Sequence, residues 1–222
     1  GLRREKMSFK MAIFDLDGTL VDSLEAISKL ANLAFEEMGM NTYSLEMSRT
    51  LIGHGVAGIA DKALPEGSSP ELKEKLVAAI RKYYEKYWDY NLHLYSGISE
   101  LLDRLTEKGI LLAINTNKDQ RFADETVEKT LKKWGFTNII GAVDGKPRKP
   151  KPDGIETILR EHGIKKEEAL YIGDMRVDVE TAKNAGVFSV FCEWGFGSIK
   201  TLDLTPDLTV KNPEEIMTVI QG

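Results

Sequence analysis

Two aspartates separated by one residue, Asp15 and Asp17, have a residue type and a spacing that suit a metal site or an acid–base pair. They follow the apolar run 11–14, which is too short for a helix and is typical of a buried strand in a parallel sheet. Residues i and i+2 of an extended chain face the same side, so both carboxylates can converge on one small volume. Two close carboxylates repel each other unless a cation lies between them or one of them holds a proton. The pair therefore indicates a divalent metal site or an acid beside a base, while a solvated Asp-Gly turn stays open at this point.

Polar residues also follow two further predicted strands, 110–114 and 169–172, at the point where each strand ends. These residues are Thr116 and Asn117 after the first strand, Asp174 with Asp178 four positions later after the second, and Lys149 one helix before the second. Open parallel sheets bind ligands beyond the carboxyl ends of their strands. Convergence of these side chains on the first aspartate pair favours chemistry over a solvated turn.

The order of the predicted elements indicates an α/β fold with an inserted helical segment. From residue 97 onward short apolar strands alternate with amphipathic helices, which predicts a parallel sheet with right-handed crossovers. Residues 22–92 show helical periodicity only, and there Ser69 and Pro70 form a typical N-cap and first helical residue. We therefore expect a sheet-containing core of residues 1–21 and 93–222 and a helical cap of residues 22–92.

Composition narrows the class of protein. The chain has 222 residues, of which 42% are hydrophobic and 29% charged, as in ordinary globular proteins. A net charge of −5 argues against nucleic acid or an acidic membrane surface as the main partner. Cys192 is the single cysteine, which suits a reducing compartment, and no apolar run approaches the ~18 residues of a membrane span. These features predict a cytoplasmic protein with a small-molecule partner. A monomer or a homodimer is expected, although composition does not distinguish them.

A phosphate monoester is the ligand that gives these carboxylates a consistent role. Its uncatalysed hydrolysis is so slow that catalysis must supply about 20 kcal/mol, mostly through positioning and cations. Asp15 can be the nucleophile, and Asp17 can protonate the leaving oxygen and then deprotonate water. Mg²⁺ suits oxygen ligands in this number, with Asp174 as a ligand and Asp178 holding a metal-bound water or orienting Lys149.

The remaining polar residues would bind the phosphoryl group. Thr116 and the amide of Asn117 can reach its oxygens, and Lys149 can neutralise its charge. Each also has a plainer interpretation. Thr116 and Asn117 fit an ordinary turn, Lys149 fits a solvated charge beside other basic residues, and the two later aspartates fit a helix N-terminus.

Four segments together resemble the ordered motifs of the haloacid dehalogenase superfamily. They are residues 15–23 (DLDGTLVDS), 116–118 (TNK), 149–153 (KPKPD) and 173–178 (GDMRVD). The resemblance spans nearly the whole chain and implies a Rossmann-like core with an inserted all-helical cap. It also implies roles for five residues: Asp15 as nucleophile and metal ligand, Asp17 as acid and base with its backbone carbonyl on the metal, Thr116 and Lys149 as phosphate binders, and Asp174 as the Mg²⁺ ligand.

Within that superfamily the acid at Asp17 is informative, because the true dehalogenases and the phosphonoacetaldehyde hydrolases lack it. A phosphate monoester is therefore the better substrate class. The cap segment 51–56 (LIGHGV) and the segment 95–98 (YSGI) are similar to phosphoglycolate phosphatases, although His54 and Ser96 stand where that family more often has Asn and Pro. We expect Gly53, His54 and Gly55 to contact the substrate, because flanking glycines let the backbone approach a ligand closely.

Three functions follow from this resemblance. The leading one is a Mg²⁺-dependent phosphatase of a small phosphorylated metabolite, with 2-phosphoglycolate as the named substrate and an aspartyl-phosphate intermediate. A phosphomutase of the β-phosphoglucomutase type shares the motifs and the cap. A non-catalytic regulatory member of the family would lack at least one motif residue, and all of them are present.

Overall fold

The structure, a computed structural model, describes residues 8–220. Its strands are β1 (Met11–Phe14), β2 (Val21–Asp22), β3 (His93–Leu94), β4 (Leu111–Asp119), β5 (Phe136–Ala142), β6 (Ala169–Gly173), β7 (Phe188–Cys192) and β8 (Leu208–Val210). Its α-helices are α1 (Leu24–Glu37), α2 (Leu45–Ser48), α3 (Gly55–Ala63), α4 (Pro70–Tyr87), α5 (Ile98–Glu107), α6 (Gln120–Thr130), α7 (Asp153–His162) and α8 (Arg176–Ala185). Four 3₁₀ segments complete the order, at Arg49–Leu51, Lys166–Glu168, Ile199–Thr201 and Pro213–Val219.

Six strands form one parallel sheet in the order β5-β4-β1-β6-β7-β8. β1 lies in the middle, where Ile13 is opposite Ala113 of β4 on one side and Tyr171 of β6 on the other. The chain order reverses direction across the sheet at β1, which is where open α/β sheets bind their ligands. The predicted fold class, an α/β core with a parallel sheet, is confirmed.

The alternation of side chains in β1 explains its central position. Met11 and Ile13 belong to one hydrophobic cluster, whereas Ala12 and Phe14 belong to another, and all four are fully buried. A strand that is apolar on both faces requires a layer on each face, and the helices that cross over between the parallel strands supply these layers. The tip of β1 is therefore held rigidly from both sides.

The helices α1 to α4 share a separate hydrophobic cluster with fully buried residues such as Leu30, Phe35 and Ile80. As predicted, Ser69 caps α4, since its hydroxyl accepts a hydrogen bond from Leu72 N at 3.2 Å. Phe122 and Phe196 from the sheet-containing part complete this cluster, so the helical part lies directly on the core. The strands β2 and β3 pair antiparallel where the chain enters and leaves it. The exact boundaries, residues 22 and 92, stay a prediction.

β4 is longer than its apolar sequence predicts. The expected strand ends at residue 114, but the observed ladder with β5 continues from Asn115, opposite Ile140, to Asp119, opposite Ala142, with an irregularity between them. The polar residues 115–118 are buried nonetheless. Hydrophobicity marks only the part of a strand that packs against helices, and the rest of β4 is stabilised by polar contacts described below.

Within residues 8–220 no helix has the length and apolar character needed to cross a membrane. α4 is the longest of the described helices, with 18 residues, and it carries charged side chains along its length.

We expect Ile13→Ala to lower the free energy of unfolding by about 2–5 kcal/mol, because Ile13 is fully buried and its neighbours on β4 and β6 cannot collapse onto the space it leaves. Leu72→Ala on α4, where the side chain is 37% exposed, is the control and should change stability by about 1 kcal/mol or less. Urea unfolding measures both. A loss for Ile13→Ala no larger than that of the control would contradict the central role of β1.

Candidate active site

Asp15 stands directly after the tip of β1, between β4 and β6. Its backbone N–H donates to Ile172 O at 2.9 Å, which continues the ladder by one residue. Its carboxylate oxygen Oδ1 accepts from Leu16 N at 2.8 Å and lies 3.1 Å from Lys149 Nζ. Among residues 8–220 no hydrogen bond reaches the second oxygen, Oδ2. One oxygen of this buried carboxylate is thus fixed and the other is available to react.

Asp174, after β6, is held by two contacts. Thr19 Oγ1 donates to Asp174 Oδ1 at 3.0 Å, and Phe196 N donates to Oδ2 at 2.8 Å. A Cβ on Gly18 would overlap the Asp174 carboxylate, and Gly18 also has a φ of 85°. Gly18 therefore leaves room for the Asp174 carboxylate, and the Thr19 hydroxyl orients that carboxylate.

Asp178 uses both of its oxygens to organise its neighbours. Oδ1 accepts from Lys149 Nζ at 2.7 Å and from the Tyr171 hydroxyl at 3.1 Å. Oδ2 accepts from the backbone N–H groups of Asp174 and Met175, each at 3.1 Å. Of the two roles predicted for Asp178, the structure favours orientation of Lys149.

Lys149 is buried between two carboxylates, Asp15 and Asp178. Burial lowers its pKa, but the charges of these two aspartates outweigh that effect and raise the pKa above its ordinary value. The side chain is therefore a permanent cation, and the interpretation of Lys149 as a solvated surface charge is wrong. Lys149 is buried because the loop before α7, in which it lies, crosses the tip of β1.

Carboxylate oxygens of Asp15, Asp174 and Asp178 all lie within 4.8 Å of one another. Burial raises the pKa of Asp15 well above its ordinary value, and the charge of Asp178 raises it further. Burial and the same neighbour raise the pKa of Asp174 to about 7. Three buried carboxylates that destabilise one another's ionised forms, balanced by one lysine, form a donor set that fits a hard divalent cation such as Mg²⁺.

Asp17 lies outside this group of carboxylates. Both of its oxygens accept hydrogen bonds from Lys118 Nζ, at 3.1 and 3.2 Å. The ammonium also lies 5.1 Å from the ring centre of Tyr84 on α4. Burial lowers the pKa of Lys118, but Asp17 more than compensates and raises it above its ordinary value. Asp17 is thus held in a buried ion pair beside the predicted nucleophile.

Thr116 and Asn117 are on β4 and both are buried, so they do not form an exposed turn. The Thr116 hydroxyl accepts from Lys118 N at 3.1 Å and can still donate its own hydrogen. The Asn117 side chain donates to Gly53 O at 3.2 Å and to Lys149 O at 3.1 Å, and accepts from Lys149 N at 3.0 Å. Asn117 therefore joins the cap turn to the lysine loop, a role that its sequence position alone does not reveal.

The predicted substrate-contacting turn divides into two environments. Gly53 and Gly55, with φ of 123° and 70°, line the same pocket as Asp15. His54 is exposed and lines a different surface depression together with Lys62 and Arg148. Burial of part of its ring and the charge of Lys62 lower its pKa. In this conformation the structure brings the two glycines to the site and leaves the imidazole outside it.

The pocket itself is small and lies between the core and the cap. Its free volume is about 40 Å³, room for about three water molecules. The core contributes the polar wall and the cap contributes apolar side chains, with Tyr84 at their boundary; the apolar residues are Ile27, Ile52, Val56 and Ile59. The predicted catalytic residues Asp15, Asp17, Thr116 and Lys149 all line it.

Sequence analysis missed three residues that contact the predicted ones: Thr19, Lys118 and Tyr171. The position of Lys118 can be inferred from the sequence, because it lies two residues after Thr116 on an extended strand and must face the same side. Thr19 and Tyr171 carry no comparable signal. Their partners are set by how three strands come together.

Comparison with known proteins agrees with this geometry. The sequence profile of the haloacid dehalogenase-like hydrolases matches residues 12–192. A phosphoglycolate phosphatase of Aliivibrio fischeri is 28% identical over 218 residues, covering 95% of this chain and 96% of that protein. One of Vibrio cholerae is 30% identical over 195 residues, covering 85% and 86%. A solved hydrolase of the haloacid dehalogenase-like family from Streptococcus pneumoniae superposes with a TM-score of 0.86 at 29% identity, covering 96% and 99%.

The chain is thus a hydrolase with an α/β fold, and its acidic residues meet at the tip of the central strand. It belongs to the haloacid dehalogenase-like hydrolases. The predicted family and enzyme class are confirmed, and the protein is a phosphatase of this family.

The raised pKa of Asp174 predicts how stability depends on pH when no metal is bound. An unfolded aspartate titrates near pH 3.9, whereas Asp174 in the folded chain titrates at about 7. Between these values the unfolded state has released a proton that the folded state retains, so the free energy of unfolding should fall as pH rises from about 4 to about 7. Asp174→Asn should remove this part of the slope. Urea unfolding in the presence of a chelator measures it.

The raised pKa of Asp174 also predicts that Mg²⁺ raises the melting temperature more at pH 8 than at pH 5, since protons compete for the carboxylates at the lower pH. Asp174→Asn should reduce the effect of Mg²⁺ at pH 8. A stabilisation by Mg²⁺ that is equal at both pH values, and unchanged in Asp174→Asn, would mean that the ion binds elsewhere.

Proposed function

We propose that this phosphatase hydrolyses a small phosphate monoester, with 2-phosphoglycolate as the first candidate, through a phosphoryl group carried on Asp15. The observation on which the proposal rests is the buried Asp15 carboxylate, with one oxygen bound to Lys149 and Leu16 and the other unbound. The name phosphoglycolate phosphatase, carried by relatives that align over nearly the full chain, supports the choice of substrate.

In the first step Asp15 Oδ2 attacks phosphorus, the Asp15–phosphorus bond forms and the bond to the ester oxygen breaks. Asp17 is two residues away on the same side; it takes up a proton from solvent as it leaves Lys118 and passes that proton to the leaving alcohol. To reach that oxygen, Asp17 must give up at least one of its two contacts with Lys118. Thr116 and Lys149 bind the phosphoryl oxygens, since the hydroxyl can donate and the ammonium is already at the nucleophile.

In the second step water attacks the phosphorus of the aspartyl-phosphate. Asp17, now ionised, accepts the proton from that water, and the bond from phosphorus to Asp15 breaks to release phosphate. The cap keeps bulk water out, since its apolar residues close the pocket to about 40 Å³. Atoms and charge balance over the two steps, because Asp15 is regenerated and Asp17 returns its proton to solvent when it pairs with Lys118 again.

We also propose Mg²⁺ as the cofactor. Asp15 and Asp174 would be its side-chain ligands and the backbone carbonyl of Asp17 a third. Asp178, each of whose oxygens already has two partners, would act on the ion through the solvent or through Lys149. When bound, Mg²⁺ supplies the positive charge that lets an anionic nucleophile approach an anionic ester.

The cap borders the pocket beside Asp15, whose free volume in this conformation is about 40 Å³. Gly53 and Gly55 bring cap backbone against the site, and we propose these backbones as the cap contacts of the substrate. A cytoplasmic location and a monomeric or homodimeric state stay predictions.

Asp15→Asn should lower turnover by at least about 10³-fold, because an amide oxygen is a poor nucleophile, while leaving the fold intact because the two side chains are nearly isosteric. Phosphate release and the melting temperature measure the two effects. In the wild type, beryllium fluoride with Mg²⁺ should attach to Asp15, which a crystal structure would locate. Substantial turnover by a folded Asp15→Asn variant would contradict the covalent mechanism.

A panel of phosphate esters tests the function itself. The purified protein with Mg²⁺ should release phosphate from 2-phosphoglycolate faster than from glucose 6-phosphate, and β-glucose 1-phosphate should yield free phosphate and not glucose 6-phosphate. Excess chelator should abolish the activity and Mg²⁺ should restore it better than Ca²⁺. Conversion of glucose 1-phosphate into glucose 6-phosphate would identify a mutase, and full activity in chelator would exclude the proposed cofactor.

A further inference from the structure

Two cations from the described residues line the pocket, Lys149 and Lys118, and their surroundings differ. Lys149 lies between two carboxylates. Lys118 has one, Asp17, and otherwise faces the aromatic ring of Tyr84. Its side chain is only 2% exposed. Lys118 is therefore the cation of this pocket whose partner is most easily exchanged.

Asp17, the partner of Lys118, also transfers the proton to the leaving oxygen in the proposed mechanism. Both oxygens of Asp17 bind the ammonium, at 3.1 and 3.2 Å, so neither is free to reach a leaving oxygen. A buried ammonium that loses its carboxylate needs another anion, because an unpaired buried charge is strongly destabilising. Movement of Asp17 toward the ester is therefore coupled to the arrival of a new anion at Lys118.

The cap side of the pocket offers a substrate no comparable charge. Ile27, Ile52, Val56 and Ile59 are apolar there. Arg81 on α4 is half exposed and is held by Asp119, with 3.0 Å between Nε and Oδ2. His54 and Lys62 line the separate depression outside the pocket. An anionic group on the part of the substrate beyond the phosphoryl would find Lys118 as its cationic partner.

We propose that Lys118 is the specificity residue of this enzyme, that it binds a carboxylate of the substrate, and that Asp17 occupies it when no substrate is bound. This deepens the proposed function and rests on it. The substrate class is then a phosphate monoester with a carboxylate close to the ester oxygen. Binding of that carboxylate replaces the two contacts of Asp17 with Lys118, so the right substrate also frees Asp17 to take up a proton and pass it to the leaving oxygen.

The test uses two esters of similar size, 2-phosphoglycolate and ethyl phosphate, of which only the first has a carboxylate. In the wild type, kcat/KM should favour 2-phosphoglycolate. Lys118→Met keeps the length of the side chain and removes its charge, and the ratio of the two kcat/KM values should fall by at least about 10-fold, the loss expected for one charge-assisted hydrogen bond. Lys118→Arg should restore part of the ratio.

Lys62→Met is the control, because it removes an exposed lysine from the cap, outside the pocket, whose ammonium donates to Thr50 O. It should leave the ratio unchanged. Titration calorimetry of Asp15→Asn, with and without Lys118→Met, provides a second measurement that does not depend on turnover. The affinity for 2-phosphoglycolate should fall in the double variant by a larger factor than the affinity for ethyl phosphate.

Three outcomes would overturn the proposal. Equal losses on both esters in a folded Lys118→Met variant would mean that Lys118 only positions Asp17. A wild type that hydrolyses both esters equally well would remove the carboxylate preference and leave the phosphatase function standing. A wild type that hydrolyses no ester of either kind would remove the proposed function together with this inference.

Discussion

The structure depends on the balance of buried charge around Lys149. Its ammonium lies 3.1 Å from Asp15 and 2.7 Å from Asp178, and Asp174 is close to both carboxylates. Three anions and one cation in a low-dielectric interior are unstable by themselves, which is why burial and mutual repulsion raise the pKa values of Asp15 and Asp174. The surrounding hydrogen bonds, from Thr19, Phe196 N and the N–H groups at the start of α8, hold the carboxyl groups in place.

The cap is attached to the core by contacts with these same polar groups. Asn117 bonds to the cap turn through Gly53 O and to the lysine loop through Lys149 O. Tyr84 of α4 lies over Lys118 and packs against Phe122, with 4.7 Å between ring centres. These contacts run through pocket residues, so cap position and site geometry cannot change independently. Closure of such a cap is a means of excluding water and of completing the site.

The sequence predicts much of this because parallel sheets impose simple rules. A short apolar run followed by Asp15 and Asp17 predicts a buried strand tip, and the strand-end rule correctly brings Asp174 and Lys149 to it. Hydrophobicity could not reveal that β4 continues through buried Thr116, Asn117 and Lys118. Contacts such as Lys118 with Asp17, 101 positions apart, depend on strand order and register. The cap is harder still: flanking glycines predict close approach at 53–55, but the helix that begins at Gly55 directs His54 outward.

The roles proposed for Lys149 and Lys118 differ because the carboxylates that pair with them differ. In the proposed mechanism Lys149 keeps Asp178 when a phosphoryl group arrives at Asp15, so its charge stays compensated and it can bind any phosphate ester. Lys118 has no second carboxylate among the described residues, so every movement of Asp17 must be matched by another anion. In the proposed mechanism, recognition of the phosphoryl group and recognition of the rest of the substrate belong to different cations, one on the loop before α7 and one on β4. On this proposal, relatives that share the phosphoryl-binding lysine can differ in substrate when the residues around the second lysine differ.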